Sequence, residues 1–360
     1  MTFLLIVVIF LLLAGVQALL LALFGLRGFS YERSFSRPAA YEGEPAELIE
    51  VIRNRSPFFL PWVRVETSLP ASFAFSTREE VEIRGMHYHV SVFTLMPFSQ
   101  VTRRHHVTLT RRGHYRLEGA SLTAGDLFGM NPLLREISAP AEILVRPKLL
   151  PDIRGQLPSF RSQGEVSVRR WIQPDPFLVN GIRGYRAGDP ERDIHWAATA
   201  RTGVLQVRTH DFTADPRLMV LINGQKTESQ WGDLMDYEQE QIEYAISLAA
   251  SLCMDALRRG QEAGFAASMP LDEETVCACL LPQRCAGWEE TLLDGFSSLR
   301  IRMLHSFPTF LEQLPRLTGT DIVILSCYDS SEIQQKMDRL RRMGNSVTLK
   351  ILPEVRHAFA

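Results

Sequence analysis

No charged side chain precedes Arg27, so the chain opens on a segment without the basic residues that begin a secretory signal. Cysteine is scarce. The five (Cys253, Cys277, Cys279, Cys285 and Cys327) are odd in number and confined to the C-terminal third. That excludes a disulfide framework of the secreted type and suits a reducing compartment. An excess of one charge is also missing: 39 Lys and Arg stand against 41 Asp and Glu, a net charge of −2. A general nucleic-acid binder would be clearly basic, so that class is excluded. The chain contains no phosphate-binding glycine loop, no Walker motif and no dinucleotide fingerprint.

What stands at the N-terminus is an apolar run from Phe3 to Leu26, with Gln17 its one strongly polar member. At about 1.5 Å of rise per residue such a run crosses a hydrocarbon core of about 30 Å as a helix. It is also longer than the usual ~7–15-residue core of a signal peptide. The expectation is a single transmembrane helix over residues 1–27. Arg27, Arg33 and Arg37 follow it, so the positive-inside rule keeps the soluble domains cytoplasmic, at a bacterial cell membrane.

Residues 28–150 read as short strands separated by turn clusters such as Asn54-Arg-Ser-Pro57. Glu47–Arg53, Trp62–Thr67, Tyr88–Leu95 and His106–Thr110 largely alternate apolar with polar positions, and no helix intervenes. Such strands predict an antiparallel β-sandwich. Residues 151–215 read as a linker, with exposed backbone over Arg154–Arg170. From 216 to 360 strands and helices alternate. Strands are expected at Leu218–Ile222, Gly264–Met269, Val276–Leu281, Asp321–Ser326 and Val347–Leu352. Helices are expected at Tyr237–Arg259, Trp288–Leu299, Phe307–Leu317 and Ser331–Met343. This order builds a mostly parallel sheet with helices on both faces.

The densest run of chemistry-bearing residues lies between Val179 and Arg201 and has no clean helical or strand period. It holds Arg183, Tyr185, Gly188, Asp189, Arg192, Trp196 and Arg201. One reading is architectural. Tyr185 and Trp196 pack beneath a domain interface, Asp189 pairs with Arg183, Arg192 or Arg201, and Gly184 and Gly188 permit tight turns. The other makes the arginines a fork for carboxylates or phosphates on a partner. Buried ion pairs are costly unless well satisfied, so a cluster this dense should be at least partly solvent-facing. Asp189, His195 and Thr199 invite a hydrolytic triad, but Thr199 lacks the glycines of a nucleophile elbow.

The spacing Arg183, Tyr185, Gly188-Asp189, Arg192, Ile194, Trp196, Thr199-Ala200-Arg201 resembles the signature of the bacterial domain-of-unknown-function-58 family. Tyr41–Glu47, Arg111–Tyr115 and Gly125–Gly129 resemble further segments of that family, with Leu127 where its members usually have proline. The resemblance implies an immunoglobulin-like sandwich, a linker carrying the signature, and a von Willebrand A-like C-terminal domain. It also implies a non-enzymatic interaction or assembly protein working with a MoxR-type AAA+ ATPase and with a transglutaminase-like membrane protein, in maturation of envelope or membrane complexes. An extracytoplasmic adhesion module and a hydrolase are the rivals.

Von Willebrand A domains often hold Mg²⁺ through Asp-x-Ser-x-Ser, because hard cations select carboxylate and hydroxyl oxygens. Here the matching loop is Asn223-Gly-Gln-Lys-Thr227. Asn223 and Gln225 replace the Asp and first Ser, only Thr227 keeps a hydroxyl, and Lys226 adds a positive charge. No metal and no cofactor are expected there. His87 and His89 share a strand face and with His105 or His106 could hold Zn²⁺. The simpler expectation is solvated strand positions beside Arg103 and Arg104. Cys277 and Cys279 likewise share a strand face and are expected to pack as small soft residues.

Overall fold

The computed structural model describes residues 2–24, 27–75, 81–83, 86–125, 132–151, 174–186, 189, 191–212, 217–230, 232 and 234–353. The chain divides into two compact units. One comprises Met1–Lys148 with Phe296–Ser298, the other Leu149–Gly295 with Leu299–Ala360.

Helix α1 (Thr2–Phe24) stands where the sequence predicts a transmembrane helix, and its described side chains from Phe3 to Val16 are exposed. The side chains at 11, 14, 17, 18 and 20–24 lie outside the described set. Among the described residues no helix is long and apolar enough to cross a membrane.

The rest of the first unit is a two-sheet β-sandwich. One sheet runs β1 (Phe29–Phe35), β3 (Pro45–Asn54), β8 (Gln100–Leu109), β5 (Phe73–Phe75). The other runs β2 (Ala39–Tyr41), β10 (Leu133–Arg146), β9 (Gly113–Gly125), β4 (Leu60–Pro70), β7 (Met86–Leu95), β6 (Val81–Ile83). Every pairing is antiparallel except β2 with β10. The buried positions alternate, as in Leu48, Glu50 and Ile52 on β3. Two apolar clusters fill the space between the sheets. Tyr31, Ile52, Val65, Phe93 and Leu122 belong to one; Leu48, Leu69, Phe73, Val107 and Ile143 belong to the other.

In the second unit, β13 (Arg217–Ile222) is the middle of a five-stranded sheet of order β15-β14-β13-β16-β17. Its neighbours β14 (Glu262–Ala267) and β16 (Thr320–Ser326) are parallel to it, as β17 (Ser346–Ile351) is to β16. Edge strand β15 (Ala278–Gln283) runs antiparallel. Continuous apolar strands such as Leu218–Ile222 are what a sheet covered on both faces requires. Helix α3 (Asp236–Arg258) packs on β13 and β14. Met219, Leu221, Ile322 and Ile324 pack instead with Phe307 and Phe310 of α5 (Phe307–Gln313) and Ile333 and Met337 of α6 (Ser331–Arg342). Helix α4 (Trp288–Ser298) completes the set.

The segment read as an irregular linker differs from expectation. Pro174–Gly184 forms a strand, β11, paired antiparallel with β12 (Gln206–Phe212). The signature is carried between the two arms of this ribbon. Residues 154–170, read from the sequence as exposed backbone, lie outside the described residues.

Candidate functional site

Register sets the geometry of the signature. Arg183 lies opposite Val207, and Gly184 opposite Gln206, at the end of the ribbon. The intervening loop is tied down by Tyr185 N donating to Leu205 O (2.9 Å), His195 N donating to Gln206 O (2.8 Å), and a bridge between the buried residues Ile194 and Val207. Within it, Arg183 grips Asp189 in a two-pronged ion pair: Nη1 to Oδ2 at 2.7 Å and Nη2 to Oδ1 at 2.8 Å. Arg186 N donates a third bond to Oδ2 at 2.8 Å. The Arg183 fork, with the Arg186 amide behind it, holds the Asp189 carboxyl down at about 2. Of the three partners open to Asp189, Arg183 is the one paired with it among the described residues. The side chain of Arg192 and all of Gly188 lie outside the described residues.

The loop continues into a short helix, α2 (Trp196–Thr202). His195 caps its start, Nδ1 accepting from Ala198 N at 3.1 Å, and Gly203 closes its end in the left-handed conformation (φ 71°). Thr199 Oγ1 donates to His195 O (3.1 Å) and accepts from Gln206 N (3.0 Å). Asp189, His195 and Thr199 therefore each hold local backbone or an arginine, and no hydrogen-bonded triad links them. Gly184 is open enough to take a Cβ and has no positive φ, so it is not the tight turn expected there.

The aromatic residues also differ from the architectural reading. Trp196 is 67% exposed and Tyr185 37%. Arg201 is exposed on the same helix, and Ile182, Val204 and Leu205 are exposed around it. The signature is thus an internally locked ion pair beside an uncovered apolar and aromatic surface.

At the C-terminal end of β13, where open α/β sheets bind ligands, the loop Asn223–Thr227 is closed by neutral amides. Asn223 Nδ2 donates to Ser326 Oγ (3.0 Å), and Gln225 Oε1 accepts from Phe307 N (2.7 Å) and Tyr328 Oη (3.1 Å). Asn223 and Gln225 are buried, Lys226 Nζ stands 3.8 Å from Glu238 Oε1, and Thr227 is exposed. Its two buried amides supply no carboxylate for a hard cation.

One polar cluster was missed by the sequence reading. Between the two apolar clusters of the sandwich lies a layer holding Arg33, Glu50, Thr67, His89, Ser91 and His105. Glu50 is 1% exposed. Its Oε1 accepts from Tyr31 Oη at 2.6 Å, and its Oε2 is 2.9 Å from His105 Nε2 and 3.4 Å from Ser91 Oγ. Burial pushes Glu50 up, but the bonds from His105 and Tyr31 and the charges of His105 and His89 outweigh it, and the carboxyl sits below its ordinary range. The same burial and the same carboxylate push the Tyr31 phenol well up. His89 Nε2 lies 3.1 Å from Ser91 Oγ, and the His89 and His105 rings meet edge to face at 4.5 Å. Of the four histidines weighed from the sequence, His89 and His105 come together. His106 faces Glu47 from an exposed position, and the His87 side chain lies outside the described residues. Tyr31 and Glu50 carried no sequence signal, and Arg33 entered the sequence reading only as a charge after the apolar run.

Comparison with known proteins bears on the signature. The chain is 22% identical over 248 residues to the uncharacterized protein YeaD of Bacillus subtilis (strain 168), covering 69% of this chain and 58% of that protein. The chain thus spans little more than half of that relative's length. Among solved structures, the CARDB domain of the PF1109 protein from Pyrococcus furiosus is 18% identical, covering 32% of this chain and 93% of its own, with a TM-score of 0.22. A non-cellulosomal cohesin from Archaeoglobus fulgidus is 10% identical, covering 32% and 91%, with a TM-score of 0.23. Residues 181–277, beginning inside β11 and running through the signature as far as Cys277, all within the second unit, match the family model described as protein of unknown function DUF58.

Proposed function

We propose that the chain is a membrane-anchored, non-enzymatic interaction protein that offers its signature ribbon to a MoxR-type AAA+ ATPase, in maturation of envelope or membrane complexes. The observation that carries this reading is the exposure of Trp196 and Arg201 on a helix capped at both ends. Trp, Tyr and Arg dominate the energetics of protein interfaces, and side chains held on a rigid element lose little entropy when a partner docks. The Arg183–Asp189 pair fixes the loop that presents them. The class of partner, and a transglutaminase-like membrane protein beside it, come from the family resemblance.

Helix α1 serves as the anchor in this reading. Its 23 residues have an axial rise of about 34 Å at ~1.5 Å each. The sequence from Phe3 to Phe24 contains no charge. By the positive-inside rule, the arginines beyond it support a cytoplasmic side for both units. The sandwich is immunoglobulin-like and the second unit von Willebrand A-like. Support for the latter is the central parallel β14-β13-β16-β17 array with one antiparallel edge strand. Its amide-closed loop makes that unit a scaffold. Non-enzymatic action is supported by the local commitments of Asp189, His195 and Thr199.

The test is crosslinking capture of a purified MoxR-type ATPase by the membrane-embedded full chain, comparing wild type with Trp196→Ala/Arg201→Ala. Both side chains are exposed, so the variant keeps its fold. The expected result is capture by the wild type and a loss of about tenfold or more in the variant, the size of a single interface hot spot. Equal capture by both sinks the assignment of the surface.

A further inference from the structure

The buried polar layer of the sandwich is separate from the signature, and its donor set has a chemistry of its own. Glu50 on β3, His105 on β8 and His89 on β7 each contribute one ligand atom, and these atoms lie within 4.8 Å of one another. We propose that Glu50, His89 and His105 form a binding site for a divalent transition metal of the Zn²⁺ class, held between the two sheets with a fourth coordination position open.

Two imidazoles and a carboxylate are the ligand types Zn²⁺ takes in sites with three protein ligands and one exchangeable position. Mg²⁺ and Ca²⁺ prefer oxygen-only shells, so two histidines among three ligands select against them. At Zn–N and Zn–O distances of about 2.0–2.2 Å, tetrahedral ligand atoms stand about 3.4 Å apart. Closing the observed spacing to that value takes a movement of about 1.4 Å, within reach of side-chain rotation. The carboxylate is already oriented as a metal ligand would be. Tyr31 holds Oε1 at 2.6 Å and leaves Oε2 turned toward His105. Such outer partners fix the direction of ligating groups.

Two features of the layer bear on what it can hold. Glu50, 1% exposed, is met by Tyr31, Ser91 and His105, and a cation between its Oε2 and the two imidazoles would take the place of the last two contacts. Arg33, directly opposite Glu50 in the β1–β3 register, is 6% exposed. Its Nε donates to Ala139 O at 2.6 Å, while Nη1 and Nη2 have no partner. With Arg33 offsetting Glu50, a divalent ion between neutral imidazoles leaves the layer positive. An anionic or hydroxide ligand in the fourth position would lower that charge, in a layer that also holds buried donors without an acceptor.

The test uses the full chain in detergent micelles, stripped with a chelator and titrated with Co²⁺ under visible absorption, then with Zn²⁺ in competition. One equivalent with a tetrahedral Co²⁺ spectrum is expected, displaced by Zn²⁺ and not by Mg²⁺. His89→Ala and His105→Ala should each weaken binding about 30-fold or more. Tyr31→Phe, removing an outer partner, should weaken it about tenfold. His106→Ala, an exposed neighbour, should leave it unchanged. Because a substitution in the layer can disturb folding, the Zn²⁺-loaded wild type is also read by X-ray absorption, which should report nitrogen and oxygen neighbours. Sulfur in that shell would move the site to the cysteines of the second unit and overturn the proposal. So would the absence of a one-equivalent site, or unchanged binding in folded His89→Ala and His105→Ala variants.

Discussion

Replacing Tyr31 by Phe tests the charge state of the sandwich interior. The ring stays, so no cavity opens in the cluster it shares with Ile52 and Val65. What is lost is one hydroxyl donor to a carboxylate at 1% exposure, across 2.6 Å. A hydrogen bond to a charged group is worth about 1.5–3 kcal/mol net, and leaving the buried acceptor short of a donor falls in the same range. The expected cost is about 2 kcal/mol at pH 7. The sign of its pH dependence follows from Glu50. Its carboxyl in the folded state is held below the ordinary value of about 4.3. A depressed carboxyl contributes stability that is present above about pH 4.3 and is lost as pH falls through the folded value. The Tyr31→Phe deficit should therefore be full at pH 7 and shrink as pH falls through the titration of Glu50 in the folded state. In a Glu50→Gln background the acceptor is neutral, and the same substitution should cost about 1 kcal/mol or less. Urea denaturation followed by circular dichroism, in chelator so that only the metal-free protein is read, measures all four corners. A deficit under ~0.5 kcal/mol at pH 7, or one that grows as pH falls, refutes a charged Glu50 held by Tyr31.

The Asp189 carboxyl should titrate near 2 by NMR, and Arg183→Ala should return it toward the ordinary value of about 3.9. Order that the pair brings to the loop is then complete above about pH 3.9 and lost as pH falls toward 2; a wild-type midpoint near 3.9 would mean that the fork is not formed. Gly264→Ala places a Cβ 2.5 Å from Pro282 N and 2.6 Å from Leu281 C, and against Leu280 O, all backbone on the antiparallel edge strand. It should destabilise the second unit by about 1–3 kcal/mol or more, whereas Gly184→Ala, which meets nothing, should stay within about 0.5 kcal/mol. Thermal unfolding of the two variants side by side decides it, and matching melts would mean that β15 does not lie against β14.

Much of the second unit was legible because its elements are long and strongly periodic. The helix read at Tyr237–Arg259 is observed at Asp236–Arg258, and Leu218–Ile222 is a strand. The order of strands in the sheet depends on pairings between distant segments, such as β13 with β16, and no local pattern carries it. The signature ribbon was hidden for the same reason. Pro174–Gly184 finds its partner only beyond the loop, at Gln206–Phe212, and a strand judged alone shows nothing of that. Glu50 was hidden by ambiguity of face. In Glu47–Arg53 one face is Leu, Glu, Ile and the other Glu, Ile, Val, Arg, so alternation does not say which side is buried. The packing of two sheets decides it, sending Leu48, Glu50 and Ile52 inward together.

Two of the places weighed for chemistry in the sequence differ in what the structure puts there. The loop after β13 sits where an open α/β sheet presents its ligands, yet its buried groups are Asn223 and Gln225, whose dipoles are used up on Ser326, Phe307 and Tyr328. Neutral amides rigidify such a loop without attracting charge. The sandwich core, which antiparallel packing would fill with aliphatic side chains, instead carries Arg33, Glu50 and two histidines in one layer, with apolar clusters on either side. Replacing a buried ionic group by an apolar side chain of similar size is often neutral or stabilising. A sandwich under no other demand would therefore gain from Leu or Val at these positions. Retaining an ionisable layer at that cost is the physical argument for a ligand in the sandwich. The signature pairs Arg183 with Asp189 and leaves Trp196 and Arg201 exposed, and that exposure is what supports the proposed partner surface.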